Sequence, residues 1–178
     1  MKFSRYLSIP FIALSLNAAA EVNLRVSPVA PLVGTVMLEA DFKISDKWSL
    51  GPTLLYTSAD RNGFDTEAYV IGARGNYYFA GTFAQGWYLS PGLKYVNVNL
   101  KDDTTSGEIE GEASGLVMNL YGGYLWMWEN FNIQLGAGPV INTLGNITVK
   151  NKSQNYEEDF DGYEGIDLGG DFTIGWKF

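Results

Sequence analysis

Large apolar residues occupy alternate positions through most of this chain, and the positions between them carry glycine, amides, hydroxyls and charges. A period of two is the mark of extended strands whose two faces meet unlike surroundings. At the C-terminus Leu168, Gly170, Phe172, Ile174, Trp176 and Phe178 share one face, against Asp167, Gly169, Asp171, Thr173 and Lys177 on the other. The same contrast runs through residues 33–44, 47–58, 67–79, 87–99, 114–128 and 130–148. Seven strands are predicted.

Their apolar faces are bulky, and no amphipathic helix or second layer of strands is predicted to cover them. A soluble sheet has to bury such a face; a closed barrel in a bilayer turns it to lipid and keeps the polar face inside. The tryptophans decide between these. Short connections (45–47, 80–86 and 129–130) alternate with long ones, so all the short turns lie at one end. Trp48, Trp87, Trp126, Trp128 and Trp176 sit beside those turns or beside the C-terminus. Such a girdle belongs at the periplasmic rim, with Tyr56, Tyr69 and Tyr95 as a thinner upper ring. Trp48 to Tyr56 is eight residue steps, a rise of about 20 Å once tilted, close to the apolar band of such barrels.

Strand parity demands one more crossing, because seven strands ending in the periplasm start outside. Val22, Leu24 and Val26 opposing Asn23, Arg25 and Ser27 can supply it, with a turn near residues 28–31. A strand bent into 33–44, or a plug in the lumen, gives the same pattern. The expected fold is therefore all-β: a transmembrane antiparallel up-and-down β-barrel of eight strands.

The first 20 residues read differently. Lys2 and Arg5 precede an apolar stretch from Ile9 to Leu16, and Ala18, Ala19 and Ala20 supply small residues before Glu21. That is a cleaved secretory signal peptide, leaving 21–178 as one barrel domain. The chain has 20 acids, all after Ala20, and 12 bases, of which Lys2 and Arg5 lie in the signal. Ten bases remain against 20 acids, a charge of −10 that argues against a nucleic-acid partner. With no cysteine there is neither a disulfide nor a thiolate metal site.

Inward-facing ions are the candidate functional groups. Glu39, Asp41, Asp167 and Asp171 share the lumen side with Lys43, Arg74, Lys94 and Lys177. An eight-stranded barrel is just wide enough for side chains, and buried charges persist only when paired, so a largely plugged polar lumen is expected. The connections 101–113 and 150–165 should form long, acidic outer loops. In the second, Glu157, Asp159 and Asp161 before Gly162 imitate the start of a calcium loop, but Leu168 stands where its bidentate glutamate belongs. They are a weak metal candidate, and no cofactor is expected.

The terminal run Gly170-Asp171-Phe172-Thr173-Ile174-Gly175-Trp176-Lys177-Phe178 resembles the assembly signal of bacterial outer-membrane proteins, and the chain from 21 onward is similar to OmpX- and OmpA-type small barrels in size and pattern. The resemblance implies export to the outer membrane of a Gram-negative bacterium, among its lipids and lipopolysaccharide. It also implies insertion by the barrel-assembly machinery through Phe172, Ile174, Trp176 and Phe178. Enzymatic families of such barrels use a histidine as base or acid, and this chain has none, so no enzyme is expected. A structural or surface-interaction role leads, with an OmpW-like channel for small solutes, hydrophobic ones among them, as the alternative.

Overall fold

The computed structural model describes residues 21–61, 64–104, 107–145, 147–151 and 156–178, so the signal peptide expected at 1–20 lies outside the described residues. Its strands are β1 (Val22–Val26), β2 (Thr35–Lys43), β3 (Trp48–Arg61), β4 (Phe64–Tyr78), β5 (Gly86–Thr104), β6 (Gly107–Trp128), β7 (Phe131–Leu144), β8 (Ile147–Asn151), β9 (Tyr156–Phe160) and β10 (Glu164–Lys177). Each of β1 to β6 pairs antiparallel with the next, β7 pairs with β10, and β10 closes on β1. The result is a closed eight-stranded barrel, and residues 22–26 are a wall strand rather than a plug.

Closure is staggered. From Val26 the ladder passes through Leu38, Leu54, Ile71, Tyr95, Leu116 and Thr143 to Glu164, yet across the seam Val26 faces Ile174. That offset of ten residues tilts the strands by about 40°.

The two predicted long loops are mostly strand. β5 and β6 pair as far as Thr104 and Gly107, well beyond the predicted ends. β8 and β9 prolong the β7–β10 hairpin in unchanged register, from Thr143 opposite Glu164 to Ile147 opposite Phe160. Against β6 the register slips by one, since Leu144 faces Gly115 but Thr148 faces Glu112. That bulge is why the predicted strand 130–148 stops at Leu144. Alternation weakens here because both faces of this sheet stand in water, and the pattern that marks a strand in lipid fades.

β1 is short for a local reason. Pro28 has no N–H to give a neighbouring strand. A single 3₁₀ turn (Ala30–Val33) follows, and Gly34 leaves it at φ 73°, a left-handed conformation suited to glycine.

Outside, the aromatic girdle is nearly continuous. Trp87 packs on Tyr124 (5.5 Å between ring centroids), Tyr124 on Trp126 (5.0 Å), Trp128 on Phe131 (6.0 Å) and Phe131 on Trp176 (6.5 Å). Trp48 packs on Tyr77, and at the opposite end Tyr56 packs on Tyr69. Inside, the periplasmic end is filled by Tyr78, Tyr88, Leu125 and Phe83. Phe83 comes from the turn after β4, which folds it back under the barrel at φ 59°.

Candidate functional site

Period-two alternation delivers one inward side chain every second residue, and the mid-lumen ions come from β1, β2, β4 and β10. Arg25 on β1 pairs with Glu39 (3.0 Å) and Asp41 (2.7 Å), both on β2. Arg74 on β4 pairs with the same Glu39 (3.1 Å) and with Asp171 on β10, its Nη1 donating to Asp171 Oδ1 at 3.0 Å. β4 and β10 stand four places apart in a ring of eight. Arg74 therefore spans the diameter.

Neutral donors complete the shell. Thr53 donates to Glu39 (3.1 Å), Asn76 to Asp41 (3.1 Å), and Tyr88 and Gln134 to Asp171 (3.1 and 3.3 Å). Arg25 also donates to Gln134, and Arg74 to Ser90. The Arg74 guanidinium lies 5.9 Å from the Tyr121 ring centroid. Arg25, Glu39, Asp41 and Arg74 are all buried, Arg25 to 1% exposure. Charges removed from water this fully persist only as a compensated set.

Glycines make room for the crossings. Tyr88 leaves β5 and passes over β6 and β7 to reach Asp171, and a Cβ on Gly123 or Gly136 would stand 2.7 or 2.3 Å from its hydroxyl. Arg25 likewise crosses β10 at Gly175, where an added Cβ would meet its Cγ at 2.6 Å.

Of the eight predicted lumen ions, Glu39, Asp41, Arg74 and Asp171 meet in this cluster. Lys43 and Lys177 instead hold Glu21 at the periplasmic rim (2.9 and 3.7 Å). The Lys43 hydrogen bond sets the Glu21 carboxyl below the usual carboxylate range. Asp167 lies at the outer mouth, accepting from Asn142 (2.7 Å) and Tyr163 (3.1 Å), a bond that pushes the Tyr163 phenol up. Lys94 is half-buried above the cluster, and among the described residues it makes no ion pair within 4 Å. Alternation assigned these four to the right face without giving their depth.

Arg25, Tyr88 and Gln134 are the functional residues the sequence reading left out. The first follows from the same alternation once β1 is accepted as a strand. Tyr88 resembles an outward girdle residue and is known as inward only by its parity with Ser90.

The acidic run does not draw Glu157, Asp159 and Asp161 together. Glu157 pairs with Lys150 (3.5 Å) and Asp159 accepts from Thr148 (2.8 Å) on strand β9, while Asp161 lies beyond that strand. No three carboxylates converge among the described residues. Inside, Ser90 receives Arg74 and donates to the Gly75 carbonyl at 3.3 Å.

No protein-family model matches the chain, and neither does any curated protein. Solved structures do. A major outer membrane protein from Thermus thermophilus aligns at a TM-score of 0.56 and 9% identity, covering 91% of this chain and 100% of that one. The fold is that of the outer-membrane β-barrels. Neisserial surface protein A aligns at a TM-score of 0.41 and 15% identity, over 89% of this chain and 94% of that one.

Proposed function

We propose that this protein is a non-enzymatic barrel of the outer membrane of a Gram-negative bacterium, with a sealed lumen and a structural or surface-interaction role. The mid-lumen cluster carries this reading. Two arginines and three carboxylates are joined across the diameter, which favours a plugged lumen over a path for solute. Below them Phe83, Tyr78 and Leu125 add an apolar floor. Above, β8 and β9 extend the wall outward as a sheet beside β6, with Glu157, Glu158 and Asp159 exposed. That surface suits contact with basic groups of a partner or with cation-bridged lipopolysaccharide.

The absence of histidine supports a non-enzymatic role, since an outer-membrane hydrolase needs a base near neutral pH. The competing reading is a channel for small solutes. Purified protein in planar lipid bilayers decides: no steady conductance is expected at neutral pH, and discrete single-channel steps would replace this reading with the channel. Strains lacking 147–160 should then lose surface interaction while keeping envelope integrity.

Assembly gives a separate test. Phe178 is 70% exposed at the rim and joined to Val22 by two backbone hydrogen bonds, so it both ends the girdle and closes the seam. Deleting it should cut outer-membrane levels several-fold while secretion across the inner membrane continues, measured by fractionation. Undiminished membrane levels would count against the assembly signal.

A further inference from the structure

Strand pairing in the closed wall is incomplete beside β10, where residues 27–34, with the 3₁₀ turn Ala30–Val33, link β1 to β2. β1 ends at Val26, opposite Ile174, whereas β10 continues up to Glu164. Phe178 and Val22 exchange both backbone hydrogen bonds (2.8 and 3.3 Å), while the Lys177 N–H goes to Asn130 on the other side. Even-numbered residues of β10 therefore direct their N–H and C=O groups toward β1. For Phe172, Gly170, Leu168 and Ile166 there is no β1 left, and among the described residues nothing else pairs with them on that side. Leu168 is 85% exposed and Ile166 73%, against 45% for Leu54 and 60% for Ile71 within the paired wall, while Phe172 is half-buried.

The opening falls at membrane depth. Leu168 is eight residues above Trp176, about 20 Å up once tilted, so Phe172 and Gly170 lie within the apolar band and Leu168 at its outer edge. Behind it the upper lumen carries a ring of aliphatic side chains, Met37, Leu55, Val70, Val96, Val117 and Val140, all partly exposed, with Lys94 beneath it and Thr35, Thr57, Asn142 and Asp167 toward the mouth. Water fills a polar lumen, but an aliphatic cup floored by ion pairs is better filled by hydrocarbon.

We propose that the gap between β10 and β2 is a side entrance through which an acyl chain of an outer-leaflet lipid enters the upper lumen and rests on Val70 and Val96. The entrance is continuous with the outward face that already meets lipid, which favours a bilayer chain over a soluble ligand. Ester oxygens at that level accept from the backbone N–H groups of Leu168 and Ile166. The inference rests on the sealed lumen, since the cup needs a floor.

The absence of cysteine allows a single nitroxide label to be placed. With Val96→Cys labelled in phosphatidylethanolamine–phosphatidylglycerol vesicles, collision rates with oxygen and with a water-soluble nickel chelate are compared. Oxygen should dominate at 96, as at the lipid-facing control Leu54→Cys. Gly170→Phe, where an added Cβ meets only the Gly136 carbonyl at 4.0 Å, should cut oxygen access at 96 several-fold and leave 54 unchanged. Chelate dominance means a water-filled mouth and overturns the proposal. So does low access to both probes, or indifference to Gly170→Phe. Val70→Cys serves if the label at 96 prevents the folded gel mobility. A conducting barrel would instead sink the sealed-lumen reading, and bilayer recordings on the unlabelled protein separate the two failures.

Discussion

Arg74→Ala should destabilise the barrel by about 3–5 kcal/mol, or open a conductance where none existed. The change removes the one cation shared by Glu39 and Asp171 and leaves Asp171 without an arginine, deep in the lumen. Either the fold absorbs the cost of unpaired charge or water enters to relieve it. Urea unfolding in detergent, read by the heat-dependent shift in gel mobility, measures the first outcome; bilayer recordings measure the second. Arg74→Ala with Asp171→Asn should cost less than the sum of the single changes, because the pair is coupled. If Arg74→Ala changes neither property, the lumen is wet and these charges are solvated, which would remove the argument for a seal.

A second large effect is expected at the glycines under Tyr88. Gly136→Val places a side chain 2.3 Å from the Tyr88 hydroxyl, and Gly123→Val sets one 2.2 Å from the Leu135 carbonyl. Backbone on one side and a buried tyrosine on the other leave neither substitution space. Each should cost about 3 kcal/mol, as overpacking of a tight interior does, and should release Tyr88 from Asp171. Gly170→Ala is the matched control, with its Cβ in open surroundings, and should stay within about 0.5 kcal/mol of the parent. Equal losses at all three positions would mean that strand flexibility, not the crossing of Tyr88, sets the glycine requirement.

Much of the fold was legible because lipid enforces the alternation. A strand with one face in hydrocarbon cannot place Arg74 or Asp171 outward, so the sequence pattern reports the face directly. The pattern failed where that constraint stops. Above the membrane, 101–113 and 150–165 looked like loops although they are largely strand, because water tolerates either residue type on either face. At the periplasmic end the rule of a polar interior failed for Tyr78, Leu125 and Phe83, which seal the bottom by packing. For the ion cluster, alternation gave the face of each charge but not its height. Height depends on the ten-residue stagger, which appears only once the barrel is closed. Asp167 and Asp171 share one face of one strand, yet the first is solvated at the mouth and the second is locked to Arg74.

The span of the Arg74–Asp171 pair also bears on time. The two residues are 97 apart in sequence and sit on opposite walls. They can meet only after β10 has found β1, so the pair belongs to the last step of closure rather than to the hairpins that precede it. Interactions formed that late are absent from the folding barrier and act on the reverse reaction. Once inserted, the barrel should therefore hold its shape by slow opening: weakening the pair would shorten the residence of the closed state in the membrane far more than it would slow its formation.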